Sequence, residues 1–150
     1  MKLFRWLINA FVMPKNMKTE ALEEIFEAHD VYELTYTRTG FRIIVTGFKE
    51  GTKDSAYMEI FFPDVRGFRC LDEGDLIAYW ESEQFRTGHC LYKVIEGGWL
   101  ENEVKGILSV TSGVGGYVEY LVATNDYCAC ILANDEPLVR IYDDPYPLAK

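Results

Sequence analysis

The stretch Val31-Tyr-Glu-Leu-Thr-Tyr-Thr-Arg-Thr-Gly-Phe-Arg-Ile-Ile-Val-Thr-Gly-Phe48 decides the fold. On both sides of Thr39-Gly40 it is rich in β-branched and aromatic residues, the side chains that fit a pleated, half-buried surface. Thr39-Gly40 supplies the turn between two such runs. Two strands are therefore predicted, over 31–39 and 41–48.

Toward the C-terminus the same composition recurs between breaks. Lys49 to Asp54 is a polar loop, and Ser55 to Phe62 is a third strand ended by Pro63-Asp64. Val65 to Leu71 reads as a fourth strand, followed by the acidic turn Asp72-Glu-Gly-Asp75. Leu76 to Trp80 fits a strand or a short helix, and Trp99 to Val104 fits either. Cys90 to Ile95, Gly106 to Thr111, Tyr117 to Thr124, Tyr127 to Ala133 and Leu138 to Tyr142 read as strands, with Asn125-Asp126 as a tight hairpin connection. Strands recurring about every ten residues predict an antiparallel barrel or sandwich. Long helices do not alternate with them, which argues against a doubly wound fold.

Toward the N-terminus the period changes. From Thr19 to His29, Ala21, Leu22, Ile25 and Phe26 recur on one helical face, and Glu20, Glu23, Glu24 and Glu27 occupy the other. This spacing predicts an amphipathic helix capped by Thr19. Phe4, Leu7, Ile8 and Phe11 predict a further helix, docked on the domain, on a second copy or, as the minority reading, on a membrane surface. The fold class expected is α+β, mostly β. It has one domain over 1–150, with a helical segment at 1–30, a β body at 31–142 and an irregular tail at 143–150.

Composition limits the function. A chain of 150 residues buries roughly 70% of its unfolded surface, enough for a core without metal or disulfide staples. Its net charge of −9 comes from 24 acidic and 15 basic residues. That balance disfavours nucleic acid and anionic membranes, both of which are bound through Lys and Arg. Surplus carboxylates serve solubility, or steer the chain toward a basic protein partner. The cationic, apolar start from Met1 to Met13 is too short to span a bilayer and lacks a small-x-small cleavage site, so a cytoplasmic location is expected. Cys70, Cys90, Cys128 and Cys130 then read as free, buried thiols.

Candidate chemistry is sparse. Asp72, Glu73 and Asp75 around Gly74 offer oxygen ligands for a hard cation, but without the spacing of a calcium loop; a turn capped by Asp72 is the simpler reading. The four cysteines with His89 contain one C-x-C and no paired C-x₂₋₄-C elements, which argues against structural zinc. Cys128 and Cys130 share one face of a strand, whereas His89 and Cys90 point to opposite faces. Ser112 to Gly116 lacks the Lys-Ser/Thr of a phosphate loop. No cofactor is implied. Tyr32, Tyr36, Phe41, Phe48, Tyr57, Phe61 and Tyr120 either line a barrel interior that takes an apolar ligand or fill a core, the latter being favoured.

The run Tyr57-Met-Glu-Ile-Phe-Phe-Pro-Asp-Val-Arg-Gly-Phe-Arg-Cys-Leu-Asp-Glu-Gly-Asp-Leu76 resembles a group of small, uncharacterised bacterial proteins, some of which look like toxin-immunity proteins. The resemblance continues through Leu91-Tyr-Lys-Val94, Trp99-Leu-Glu101, Gly116-Tyr-Val-Glu-Tyr120 and Glu136-Pro137, covering roughly residues 55–142. It implies a non-enzymatic protein-binding role, with Arg69, Asp72 and Glu73 as the positions that would match a functional centre, in a candidate functional turn that Asp75 completes. The alternative is that Arg69 pairs with these carboxylates to fix the turn. A small-molecule-binding barrel, with or without weak catalytic activity, is the alternative expected from the aromatic content and the glycine loop at 113–116.

Overall fold

The computed structural model describes residues 17–22, 26–72, 85, 88–101 and 115–143. Nine strands are formed there: β1 (Lys18–Ala21), β2 (Phe26–Thr37), β3 (Gly40–Lys49), β4 (Ser55–Phe62), β5 (Val65–Asp72), β6 (Leu91–Glu96), β7 (Val118–Ala123), β8 (Tyr127–Ala133) and β9 (Leu138–Asp143). They assemble into a five-stranded sheet, β1-β6-β7-β8-β5, and a four-stranded sheet, β2-β3-β4-β9. Every pairing is antiparallel.

Register explains the core. In the four-stranded sheet Phe41 faces Phe62, Ile43 faces Ile60, and Val45 faces Met58. All six are buried, and they pack in one cluster with Leu91, Tyr120, Val122, Ala129 and Ile131 of the other sheet. The Phe62 and Tyr120 rings meet across the sheets at 5.4 Å, and the Cys90 thiol reaches Met58 Sδ at 3.7 Å. The result is a sandwich of two facing sheets with a core of interleaved apolar side chains.

The five-stranded sheet is covered on its other face as well. Tyr92, Leu121, Ala123, Cys128 and Cys130 form a second buried cluster, against which Phe85 and Trp99 pack. Burial on both faces removes the pressure to alternate, so Tyr127 to Ala133 carries no polar position apart from its first residue. Among the described residues no helix is long and apolar enough to cross a membrane.

The α+β class expected is overturned. Of the barrel and the sandwich expected for the sheets, the sandwich is formed: among the described residues the sheets do not close, and core side chains occupy the space between them. The expected helix from Thr19 to His29 is replaced by β1 and the start of β2; only 99–101 are helical among the described residues. Among the described residues the architecture is therefore nearly all β rather than α+β. Long-range pairing is the physical reason. Thr19 lies opposite Val94 and Ala21 opposite Tyr92, while Phe26 pairs with Lys49 and is fully buried. Its N–H donates to Gly88 O at 2.7 Å. Such contacts outweigh the helix propensity of Glu, Ala and Leu, worth only tenths of a kcal/mol per residue. The helical spacing of Phe4, Leu7, Ile8 and Phe11, and the strand reading of 106–111, fall outside the described residues.

The hairpin at Asn125-Asp126 forms without glycine because Thr124 closes it. Its hydroxyl donates to Tyr127 O at 3.1 Å and accepts from Tyr127 N–H at 3.2 Å. Thr124 is buried, and both bonds are partly buried. Thr124→Val, which removes the hydroxyl but little volume, should cost about 1–2 kcal/mol in urea unfolding.

Candidate binding face

Arg69 and Asp72 are not brought together. In β5, Arg69 lies opposite Cys130 and Asp72 opposite Tyr127, on alternate faces of the strand. Arg69 lies over Trp99, its guanidinium carbon 4.9 Å from the ring centroid, whereas Asp72 ends the strand exposed. Glu73 and Asp75 fall outside the described residues. The thiols are divided as well: Cys90 belongs to the inter-sheet core, with Cys70 packed against it, and Cys128 and Cys130 lie on the opposite face. Among the described residues no group of three or more His, Cys, Asp or Glu could hold a metal ion.

A candidate site forms instead on the solvent side of the four-stranded sheet. Thr35 pairs with Arg42, Arg42 with Phe61, and Phe61 with Leu138. In the next row Glu33 pairs with Ile44, Ile44 with Glu59, and Glu59 with Arg140. Thr35, Arg42, Phe61 and Leu138 of the first row and Glu59 and Arg140 of the second line a cup of about 390 Å³, together with Thr37, Thr39 and Gly40. Gly40 has a special place in it. Its φ is +145°, and a Cβ there would lie 2.7 Å from Phe61 Cζ. The absence of that Cβ lets the Phe61 ring lie across the backbone.

The polar groups form two linked sets. Arg42 donates to Glu33 Oε1 at 2.9 Å, and Thr35 Oγ1 donates to the same oxygen at 2.7 Å. Chiefly through the Thr35 hydrogen bond, with Arg42 assisting, the Glu33 carboxyl is held below the usual glutamate range. Its folded-state pKa is depressed, so any stabilisation it gives is present at neutral pH and lost as pH falls through the lowered value. An NMR titration of Thr35→Val should move the Glu33 midpoint upward. On the other side Tyr142 Oη donates to Glu59 Oε2 at 2.8 Å. Tyr142 and the nearby Glu59 favour the charged form of Arg140, which is exposed. Arg42 is thus held by Glu33 before anything binds.

Aromatic groups extend the face. Tyr32 meets Tyr57 edge-on at 5.3 Å and is 51% exposed. Leu138 is 57% exposed at the cup's lip. Of the aromatics expected in a core, Phe41 and Tyr120 are there; Phe48, Tyr57 and Phe61 are half-buried, and Tyr32 and Tyr36 are exposed.

A second cavity, of about 440 Å³, opens at the end of the five-stranded sheet beside Gly98, Gly116 and Glu119. Glu119 is buried there and accepts the Leu100 N–H at 2.8 Å. Gly98 is required at this approach, since a Cβ would meet Val94 Cγ1 at 2.7 Å as well as the Glu119 carboxylate.

The fold and this face define an antiparallel β-sandwich carrying a polar, aromatic-flanked cup. No protein-family model, curated protein or solved structure matches the chain. Sequence reasoning missed Arg42, Glu59 and Arg140. Alternation places Arg42 and Glu59 on the polar sides of their strands, but the pairing of β9 with β4 that brings in Arg140 has no local signal.

Proposed function

We propose that the protein is a non-enzymatic binding module that docks a protein partner on the open face of the β2-β3-β4-β9 sheet. The observation that carries this reading is the cup between Arg42 and Arg140, walled by Phe61 and continued by Tyr32 and Tyr57. Arginine and tyrosine dominate binding hot spots because each gives a large, orientable contact at modest entropic cost. The internal partner Glu33 fixes the Arg42 guanidinium in advance, which lowers the ordering cost of association. The net charge of −9 favours a basic partner through long-range steering, and the immunity-like resemblance of residues 55–142 points the same way.

The test is parallel capture from the source cell with wild-type protein and with Arg42→Ala/Arg140→Ala, followed by titration of whatever the wild type retains. The double variant should bind that protein about 100-fold or more weakly. Glu96→Ala, on the other sheet, should leave binding unchanged, and association should slow as salt rises. Equal retention by the double variant, or association indifferent to salt, would count against the proposal.

A further inference from the structure

The cavity at the end of the five-stranded sheet differs from the cup in the charge of its walls. After β6 the chain turns at Gly97, whose φ is +74°, and residues 99–101 form a short helical turn against the start of β7. The approach is so close that a Cβ on Gly98 would lie 2.8 Å from Glu119 Cδ. Glu119 is 2% exposed as a result, with its Oε2 accepting the Leu100 N–H at 2.8 Å. Gly115 and Gly116 also line the cavity, at φ of +71° and +82°, a backbone that favours glycine. A Cβ on Gly115 would meet nothing within 4 Å, so the wall is open there.

Surface and charge together select an occupant. Val94, Leu100, Tyr117 and Val118 give the space of about 440 Å³ apolar walls. Among the described residues, its charged lining groups are Glu96, Glu101 and Glu119 against Lys93. Lys18 pairs with Glu96 at 2.8 Å and Glu136 with Lys93 at 3.9 Å, and adding both partners leaves the excess of negative charge as it was. Arg69, which lies over Trp99, reduces that excess without cancelling it. Glu101 Oε2 accepts the Gly97 N–H at 2.9 Å. The carboxylates are spread along the wall: among the described residues no group of three or more His, Cys, Asp or Glu could hold a metal ion. Dispersed negative charge over apolar walls suits an organic cation rather than a metal. An apolar pocket with a few convergent polar groups is the usual form of a small-molecule site. Burying a carboxylate as deeply as Glu119 is costly, and a cation beside it offsets that cost.

We propose that this cavity binds a small primary amine in its ammonium form, the charge beside Glu119 and the apolar body against Val94, Leu100 and Val118. Glu101 adds to the negative field of the wall. An anion of the same shape is repelled, and a neutral analogue gains nothing from the carboxylates. The site lies on the five-stranded sheet and the proposed docking face on the other, so each stands or falls by itself.

The experiment titrates ¹⁵N-labelled full-length protein at pH 7 with 2-phenylethylammonium, and in parallel with 2-phenylethanol and 3-phenylpropanoate as its neutral and anionic counterparts. The ammonium should shift amides within 94–101 and 115–119 saturably, with a Kd of about 1 mM or tighter, ordinary for a ligand of this size. The alcohol and the carboxylate should each bind about 10-fold or more weakly. Glu119→Gln, which keeps the side chain's shape and removes its charge, should weaken the ammonium by about 10-fold or more. Arg42→Ala/Arg140→Ala should bind it as wild type. If Glu119→Gln fails to fold, the ranking of the three ligands on wild type, with the map of shifted amides, decides. The proposal is overturned if the ammonium gives no saturable shifts, if they fall on β3, β4 and β9, or if the alcohol or carboxylate binds as tightly. It is equally overturned if folded Glu119→Gln binds the ammonium as wild type does.

Discussion

Gly47→Val is expected to destabilise the protein by about 3 kcal/mol or more, read as a lowered urea midpoint at constant m-value. Gly47 sits in β3 between Ala28 of β2 and Ala56 of β4. A Cβ there would run into the Glu27 carbonyl and lie 2.6 Å from Phe26 Cε1. Phe26 is fully buried, and β3 is held from both sides, so neither the ring nor the backbone has room to give. The substitution also separates two accounts of the N-terminal region. If residues 26–29 were helical, as their spacing alone predicts, position 47 would face no carbonyl. A cost below about 1 kcal/mol, that of an ordinary surface change, would then be found.

Phe41→Ala should cost about 3–5 kcal/mol. Phe41 is fully buried at the start of β3 and stacks on Phe68 of β5 with centroids 4.4 Å apart. This contact joins the edge strand of one sheet to the other sheet, so its loss leaves a cavity where the two layers meet. Phe68→Ala should cost less, because Phe68 is 38% exposed. In a double-mutant cycle the pair should couple by about 0.5–1.5 kcal/mol, the range for aromatic contacts. Against a total stability of about 5–15 kcal/mol for an ordinary domain, the Phe41 variant should be marginally folded at physiological temperature. Additive losses would mean that the stack contributes only burial.

The strands that pack by local alternation or by continuous apolar runs were legible from the sequence. Ser55–Phe62 and Tyr127–Ala133 begin and end where composition places them. β2 was legible from Val31 onward, but its start, Phe26 to His29, falls in the stretch whose spacing predicts a helix. The apolar positions behind that spacing do not share one element: Ala21 lies on β1 of the five-stranded sheet and Phe26 on β2 of the four-stranded sheet. Their 3.6-residue spacing thus spans two strands whose partners are distant in sequence.

The candidate face was hidden for a different reason. Glu59 and Arg140 are paired neighbours although 81 residues separate them, and only strand order brings β9 to β4. Arg69 shows the converse. Its closeness to Asp72 in sequence suggested a shared turn, yet alternation along β5 turns the two to opposite faces. For Cys128 and Cys130 the shared face was legible, but not that it looks away from the inter-sheet core, nor that Arg69 lies beside it.

The central claim is that the open face of the four-stranded sheet is where a partner protein sits. Hydrogen–deuterium exchange of the captured complex tests it most directly. Protection gained on binding should map to β3, β4 and β9 around Arg42, Glu59, Phe61 and Arg140, with β1 and β6 unchanged. Protection confined to the five-stranded sheet, with β3, β4 and β9 exchanging as in the free protein, would contradict it.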